Sequence, residues 1–130
     1  MANLKPSERI LCALDTTNVA QASTLAATLS SDVGGIKLGL EFFGANGPQG
    51  YKEIIKANQN IFLDLKLHDI PNTVKNACFV ASEMGVSILN VHALGGSEMM
   101  LAAKEGVDKS NNHPYLIAVT LLTSMDSRML

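Results

Sequence analysis

The sequence predicts an α/β fold built on a parallel sheet, because short apolar runs alternate with longer segments of helical periodicity along the chain. The apolar runs are nearly continuous, which is typical of parallel strands that are covered on both faces. The length of 130 residues corresponds to one domain, residues 1–130. Together these observations favour a single α/β domain made of successive βα units.

The predicted elements follow in strict alternation. Strands are predicted at residues 9–15, 35–39, 61–67, 87–93 and 115–123, where apolar runs are bounded by turn-forming residues. Helices are predicted at residues 16–31, 48–58, 71–84 and 97–108, and Gly85 ends the third of them.

Both a doubly wound sheet and an eight-stranded (β/α)₈ TIM barrel fit this alternation. The first strand is followed by Asp15, Thr16 and Thr17, so the glycine-rich turn of a dinucleotide-binding fold is missing. A barrel needs about 250 residues, and the fifth predicted strand lies close to the last residue. We therefore expect a truncated barrel of about four and a half βα units. A small open sheet of five strands, complete as it stands, is the alternative.

Composition excludes several classes of protein. Ten basic and twelve acidic residues are interspersed, which gives no electrostatic footprint for nucleic acid or an anionic membrane. We expect no secretion signal, because no apolar segment of signal-peptide type follows the first residues, and no apolar run reaches membrane-spanning length. The cysteines, Cys12 and Cys78, lie far apart and are expected to be reduced thiols. These features predict a soluble, cytoplasmic, globular chain.

The third predicted strand carries two charged residues within a run that is otherwise apolar. Because side chains alternate along a strand, Asp64 and Lys66 share one face with Phe62, and the leucines at 63, 65 and 67 take the other face. Burying an unpaired charge lowers the stability of the fold by roughly several kcal/mol. We therefore expect this face to have a functional role.

Three further charges lie at or near the carboxyl ends of predicted strands: Asp15, Lys37 and Asp69. In a parallel sheet these ends meet at one edge, where barrel enzymes place their catalytic groups. Each charge also has a structural explanation. Asp15 could cap the first helix, Lys37 could extend from a sheet edge into water, and Asp69 could be a turn residue before Pro71. Asp64 and Lys66 could form a structural ion pair.

The run DLKLHDIPNT at residues 64–73 resembles the signature of the orotidine 5′-phosphate decarboxylase family. ALD ending at Asp15, IKLG around Lys37, NVHA at 90–93 with the glycine pair at 95–96, and LTSM at 122–125 match the same family in the same order. The resemblance covers nearly the whole chain. It implies a (β/α)₈ barrel with active sites at a homodimer interface. It also implies conversion of orotidine 5′-monophosphate (OMP) to UMP and CO₂ in de novo pyrimidine biosynthesis, without a cofactor.

The resemblance also implies roles for individual residues. Lys66 would protonate the product carbon, and Asp64 and Asp69 would keep Lys66 protonated and in place, with Asp69 coming from the partner subunit. Together with Lys37 these residues match the alternating charged tetrad that is the family's catalytic group. Asp15 and Lys37 would also hold ribose hydroxyls. The remaining positions that match substrate contacts are Ile70 and Thr73, toward the neighbouring subunit's ligand, and Thr123, near the pyrimidine.

Part of the family's site has no counterpart in this sequence, because its phosphate-binding arginine and closing loop belong to the later strands. Gly95, Gly96 and Ser97 could cradle an anion, although a plain βα turn explains them better. Two other functions stay open. One is a metal-dependent sugar-phosphate decarboxylase or aldolase of the same superfamily, although the three histidines have no metal-ligand spacing. The other is a non-catalytic half-barrel that self-associates through its last strand.

Overall fold

The computed structural model describes residues 4–56 and 60–129. Five strands form one parallel sheet in the order β1-β2-β3-β4-β5, so that every strand pairs with its neighbours in the sequence. The strands are β1 (Leu11–Ala13), β2 (Gly35–Gly39), β3 (Ile61–Leu67), β4 (Ile88–His92) and β5 (Tyr115–Val119). The parallel strands of a (β/α)₈ barrel follow one another in the same sequential order.

A helix connects each strand to the next. The helices are α1 (Val19–Leu29), α2 (Leu40–Ile55), α3 (Pro71–Glu83) and α4 (Gly96–Asp108), with short 3-10 helices at Ser7–Arg9 and Ala93–Gly95. Gly106 lets α4 approach α3 closely, because a Cβ at this position would lie 2.1 Å from the carbonyl oxygen of Lys75. None of the helices in the described ranges is long and apolar enough to cross a membrane.

The apolar core lies between the sheet and the helices. Leu38 of β2, Leu63 of β3 and Leu89 of β4 are fully buried there. Cys78 of α3 is part of this core, and Cys12 is half-buried; both are free thiols, as predicted. In the described residues, no helix covers the opposite face of the sheet, and this face carries Lys37, Asp64 and Asn90.

Several element boundaries differ from the prediction, at strand ends and at helix starts. The prediction of β2 and β3 is confirmed to the residue. By contrast, β1 is shorter than the predicted 9–15, and β5 ends at Val119 rather than at residue 123. Helix α1 begins at Val19, because Asn18 and not Asp15 caps it: the Asn18 side chain accepts a hydrogen bond from the backbone N–H of Gln21. The helix-cap explanation of Asp15 is therefore wrong.

The second helix begins earlier than residue 48, which was predicted as its start. Helix α2 runs from Leu40 and is interrupted at Gly47, whose φ of 56° is left-handed and lies outside helical geometry. Pro48 begins the second part, where a missing N–H does no harm. The sequence pattern thus identified the second part of α2 and missed the first, and predicted positions 57–58 lie outside the described residues.

Candidate active site

A cavity of about 560 Å³ lies against the helix-free face of the sheet. Strands β2 to β5 and the segment after β5 form its wall. Its polar lining consists of Lys37, Asp64, Lys66, Asn90, Thr123 and Ser124. Its apolar lining consists of Phe62, Ile117, Val119, Leu121 and Leu122. The expectation that Phe62, Asp64 and Lys66 share one face is confirmed.

Strand β3 changes its register against β4 where it carries the lysine. Leu63 is opposite Leu89 and Leu67 is opposite Val91, so four residue steps on β3 match two steps on β4. Lys66 lies in this bulge and has a left-handed backbone, with a φ of 50°. A left-handed residue other than glycine costs roughly 1–2 kcal/mol. Bulges often redirect a side chain next to an active site.

Asp64 is the centre of a three-residue charge cluster. Its Oδ1 lies 2.6 Å from Nζ of Lys66, and its Oδ2 lies 3.6 Å from Nζ of Lys37. The Asp64 side chain is 11% exposed, whereas the two lysine side chains are about one-third exposed. The explanation in which Lys37 extends from a sheet edge is wrong, because β2 is an inner strand and Lys37 faces the cavity.

The cluster keeps Asp64 ionised. Burial of the Asp64 carboxyl acts to raise its pKa, but hydrogen bonds from Lys66 and Asn90 and the positive charges of Lys66 and Lys37 outweigh burial. The pKa of Asp64 therefore lies below its ordinary value of 3.8. One carboxylate thus holds two ammonium groups at the cavity wall, an arrangement suited to stabilising a developing negative charge nearby.

Asn90 of β4 completes the cluster, and the sequence analysis assigned it no role. Its Oδ1 accepts a hydrogen bond from the backbone N–H of Lys66 at 2.8 Å, and its Nδ2 donates to Oδ1 of Asp64 at 2.7 Å. Asn90 is only 1% exposed. The available signal was an amide in the middle of an otherwise apolar strand, but the sequence alone does not show which side chain it would face.

The other predicted site residues lie outside this cavity. Asp69, Ile70 and Thr73 are exposed in the β3–α3 connection and the start of α3, and Oδ1 of Asp69 accepts a hydrogen bond from the Ile70 N–H at 2.6 Å. That contact agrees with the explanation of Asp69 as a turn residue. Asp15 is exposed between β1 and α1. Within this chain, the structure therefore brings together Lys37, Asp64, Lys66 and Thr123.

Two histidines stack beside the site. The rings of His68 and His92 lie 5.5 Å apart between centroids, at an interplanar angle of 21°. Nδ1 of His92 accepts a hydrogen bond from the Leu94 N–H, so this contact holds the turn after β4. Across residues 4–56 and 60–129, no group of three or more histidine, cysteine, aspartate or glutamate side chains is placed to hold a metal ion.

Comparison with known proteins gives this geometry a context. The model of the orotidine 5′-phosphate decarboxylase / HUMPS family matches residues 8–130. Proteins named orotidine 5′-phosphate decarboxylase are similar to this chain. The one from Rhodospirillum rubrum is 51% identical over 90% of this chain and 50% of its own length. The one from Nitrosomonas eutropha is 52% identical over 91% of this chain and 50% of its own length.

A solved structure supports the same assignment. The crystal structure of orotidine 5′-phosphate decarboxylase from Lactobacillus acidophilus superposes with a TM-score of 0.82 at 38% identity, over 92% of this chain and 55% of that one. The five-stranded sheet is thus part of a TIM-barrel fold, and the chain spans about half the length of the curated relatives that it matches. The family match covers nearly all of the sequence, and we conclude that this chain belongs to the orotidine 5′-phosphate decarboxylase / HUMPS family.

Proposed function

We propose that this chain provides the proton-donating half of an orotidine 5′-monophosphate decarboxylase, a carboxy-lyase of pyrimidine biosynthesis. The observation that carries the proposal is the charge cluster of Lys37, Asp64 and Lys66 on the wall of an open cavity. The named relatives supply the substrate. In this proposal the enzyme is cytoplasmic and uses no cofactor.

The chemistry requires a group that stabilises a carbanion and then protonates it. The bond between C6 of the pyrimidine and the carboxylate breaks, CO₂ leaves, and the electron pair stays on C6. The Lys66 ammonium stabilises that pair and then transfers a proton from Nζ to C6. The neutral amine regains its proton from water. Asp64 keeps the ammonium charged and in place through its 2.6 Å contact.

Repulsion between Asp64 and the substrate carboxylate is a secondary contribution. Two like charges at ~4 Å repel by about 4 kcal/mol at an effective dielectric constant of 20. Enzymes typically lower barriers by roughly 8–23 kcal/mol. Stabilisation of the carbanion, supported by binding energy from the remote phosphate, therefore has to provide most of the effect.

The remaining predicted residues receive roles in substrate binding. Lys37 and Asp15 hold ribose hydroxyls, and Thr123, which lines the cavity, lies near the pyrimidine. Asp69, Ile70 and Thr73 are exposed and are not part of the lining of their own chain's cavity. Their exposure supports a role across a homodimer interface, where Asp69 joins the charge cluster of the other subunit.

The 130-residue chain on its own is expected to lack turnover. Strand β5 has a single neighbour in the described sheet, and its residues Tyr115 and Ile117 are 79% and 44% exposed. Leu121, just after the strand, is 50% exposed. An exposed apolar edge strand favours pairing with another chain. We therefore expect the chain alone to self-associate; a monodisperse monomer in sedimentation with full activity would refute this expectation.

The test is decarboxylation of OMP, followed by the loss of absorbance as product forms. The chain is assayed alone and after co-expression with the second half of the Rhodospirillum rubrum relative. Turnover only in the second case supports the proposal and assigns the proton donor to this chain. Absence of turnover in both cases, from folded protein, contradicts it.

The name of the matched family also includes HUMPS proteins, so a second substrate class is tested in parallel. The competing function is a magnesium-dependent decarboxylase or aldolase acting on a sugar phosphate. The same two preparations are incubated with sugar phosphates, with magnesium and with a chelator. Chelator-sensitive turnover there, with none on OMP, would replace the proposed function by this one.

A further inference from the structure

We propose that Asn90 is a positioning residue, whose amide fixes the β3 bulge at Lys66 and the Asp64 carboxylate as one unit and so sets the direction of the Lys66 ammonium. The consequence for turnover rests on the proposed decarboxylase function. The positioning itself rests on contacts within this chain, and it can be measured without turnover.

The first contact holds the backbone of the bulge at Lys66. Asn90 lies between Leu89 and Val91, the two β4 residues whose β3 partners are separated by the bulge. Lys66 has left-handed geometry there, with its backbone N–H turned to the Asn90 side chain at 2.8 Å. Strained backbone of this kind persists only where surrounding contacts determine it. The Asn90 carbonyl oxygen is the contact that does so at Lys66.

The second contact ties the same side chain to the charge cluster. Nδ2 of Asn90 donates to Oδ1 of Asp64, the oxygen that also accepts from Nζ of Lys66. The backbone N–H of Lys66 can only donate, and an ionised carboxylate can only accept, so the amide has one permitted orientation. An amide supplies an acceptor and a donor on the same carbon. An ionised carboxylate supplies acceptors only, and an aliphatic side chain supplies neither.

Two substitutions separate these contacts. Asn90→Asp keeps an acceptor for the Lys66 N–H but removes the donor and places a second carboxyl next to Asp64, which raises the pKa of Asp64. Asn90→Leu is similar in size and removes both contacts. The first variant tests the link to the carboxylate, and the second tests the bulge as well.

Asn112 offers a matched control within the same chain. It is a half-buried asparagine whose Nδ2 donates to the carbonyl oxygens of Ser82 and Val86, and it is not part of the cavity lining. Asn112→Leu therefore removes an internal amide and its hydrogen bonds without touching the charge cluster. It reports what loss of such an amide does to stability alone.

The experiment measures the Asp64 carboxyl titration by carbon NMR, hydrogen exchange of the Lys66 amide, and kcat and KM after assembly with the second half-barrel. We expect Asn90→Asp to raise the pKa of Asp64 and to lower kcat by roughly 10- to 100-fold, by analogy with the loss of hydrogen-bond partners that orient metal ligands, with a smaller change in KM. We expect Asn90→Leu to accelerate exchange at Lys66, and Asn112→Leu to change none of these quantities.

The inference is overturned if both Asn90 variants leave the Asp64 titration and the Lys66 exchange as they are in the Asn112→Leu protein. If Asn90→Leu does not fold, Asn90→Asp still decides, because it preserves the shape and the Lys66 contact. If the unaltered chain lacks turnover in every assembly while the Asn90 variants shift the two NMR quantities, the proposed function fails and the positioning role stands.

Discussion

Two lysine–carboxylate pairs in this chain have similar distances and very different surroundings. In the cavity, Nζ of Lys66 lies 2.6 Å from Asp64; between α3 and α4, Nζ of Lys75 lies 2.5 Å from Glu105. The Asp64 side chain is 11% exposed and the Glu105 side chain is 60% exposed. Distance alone would rank the two pairs as equals.

The surroundings determine what each pair can do. Water and dissolved ions screen the Lys75–Glu105 pair, and exposed ion pairs contribute little to stability. Burial acts to raise the pKa of both carboxyl groups, and the lysine contacts outweigh it in both. For Asp64 burial is the largest single effect, whereas for Glu105 it is smaller than the hydrogen bond and charge of Lys75. Of the two pairs, only the one in the cavity is also held by a buried amide. Nδ2 of Asn90 donates to the Asp64 carboxylate and so fixes the orientation of that carboxylate.

The largest expected difference between the two pairs is in catalysis. Lys66→Ala in the assembled enzyme should lower kcat by about 10⁴-fold or more, the upper end for loss of a general acid, because electrostatic stabilisation of the carbanion is lost as well. Lys75→Ala removes the lysine of the exposed pair and should leave kcat unchanged. The measurement is the absorbance assay with OMP. Retention of most of kcat in the Lys66→Ala enzyme would remove Lys66 from its proposed role.

A smaller difference is expected in stability. Asp64→Asn keeps the side-chain shape but leaves the ammonium groups of Lys37 and Lys66 without a counter-charge. The free energy of unfolding should fall by about 1.5–3 kcal/mol, the usual contribution of a hydrogen bond to a charged group. Glu105→Gln should leave the urea midpoint unchanged within error. Equal losses in the two variants would mean that burial does not distinguish the pairs.

Features that depend on neighbouring residues could be predicted from the sequence, whereas features that depend on residues far apart in the chain could not. Strands β2 and β3 were predicted to the residue, because an apolar run and its alternation depend only on neighbouring residues. Alternation also placed Asp64 and Lys66 on one face. The first part of α2 was not predicted. Pro48 is a strong helix-start signal, so the helix was predicted to begin there, and the helical turns before Gly47 were not recognised.

The bulge at Lys66 and the role of Asn90 could not be predicted in this way. Both depend on how β4 pairs with β3, and residues 24 and 26 positions apart form the two contacts. No local pattern encodes that register. The local pattern likewise did not separate Asp69 and Thr73 from the cavity of their own chain; only the family resemblance implied that they contact the neighbouring subunit's ligand.

The response to acid should follow from the lowered pKa of Asp64. Because this pKa is lower in the folded chain than the ordinary 3.8, the contribution of Asp64 to stability is present above about pH 4 and is lost as pH falls through the folded-state pKa. Asp64→Asn should therefore reduce the steepness of acid unfolding, measured by urea midpoints at successive pH values. An unchanged slope would show that the cluster does not stabilise the ionised carboxylate.

The smallest expected effect is the response of the two carboxyl groups to salt. At 1 M salt the screening length is about 3 Å, compared with about 30 Å at 0.01 M. The exposed Glu105 carboxyl should return toward its ordinary pKa of 4.5 as salt is added. The Asp64 carboxyl should move less, because Asn90 and the protein exclude ions from its contact with Lys66. Carbon NMR titrations of both groups at the two salt concentrations measure this difference. Equal shifts would place Asp64 in contact with bulk solvent and would weaken both the proposed proton donor and the positioning role of Asn90.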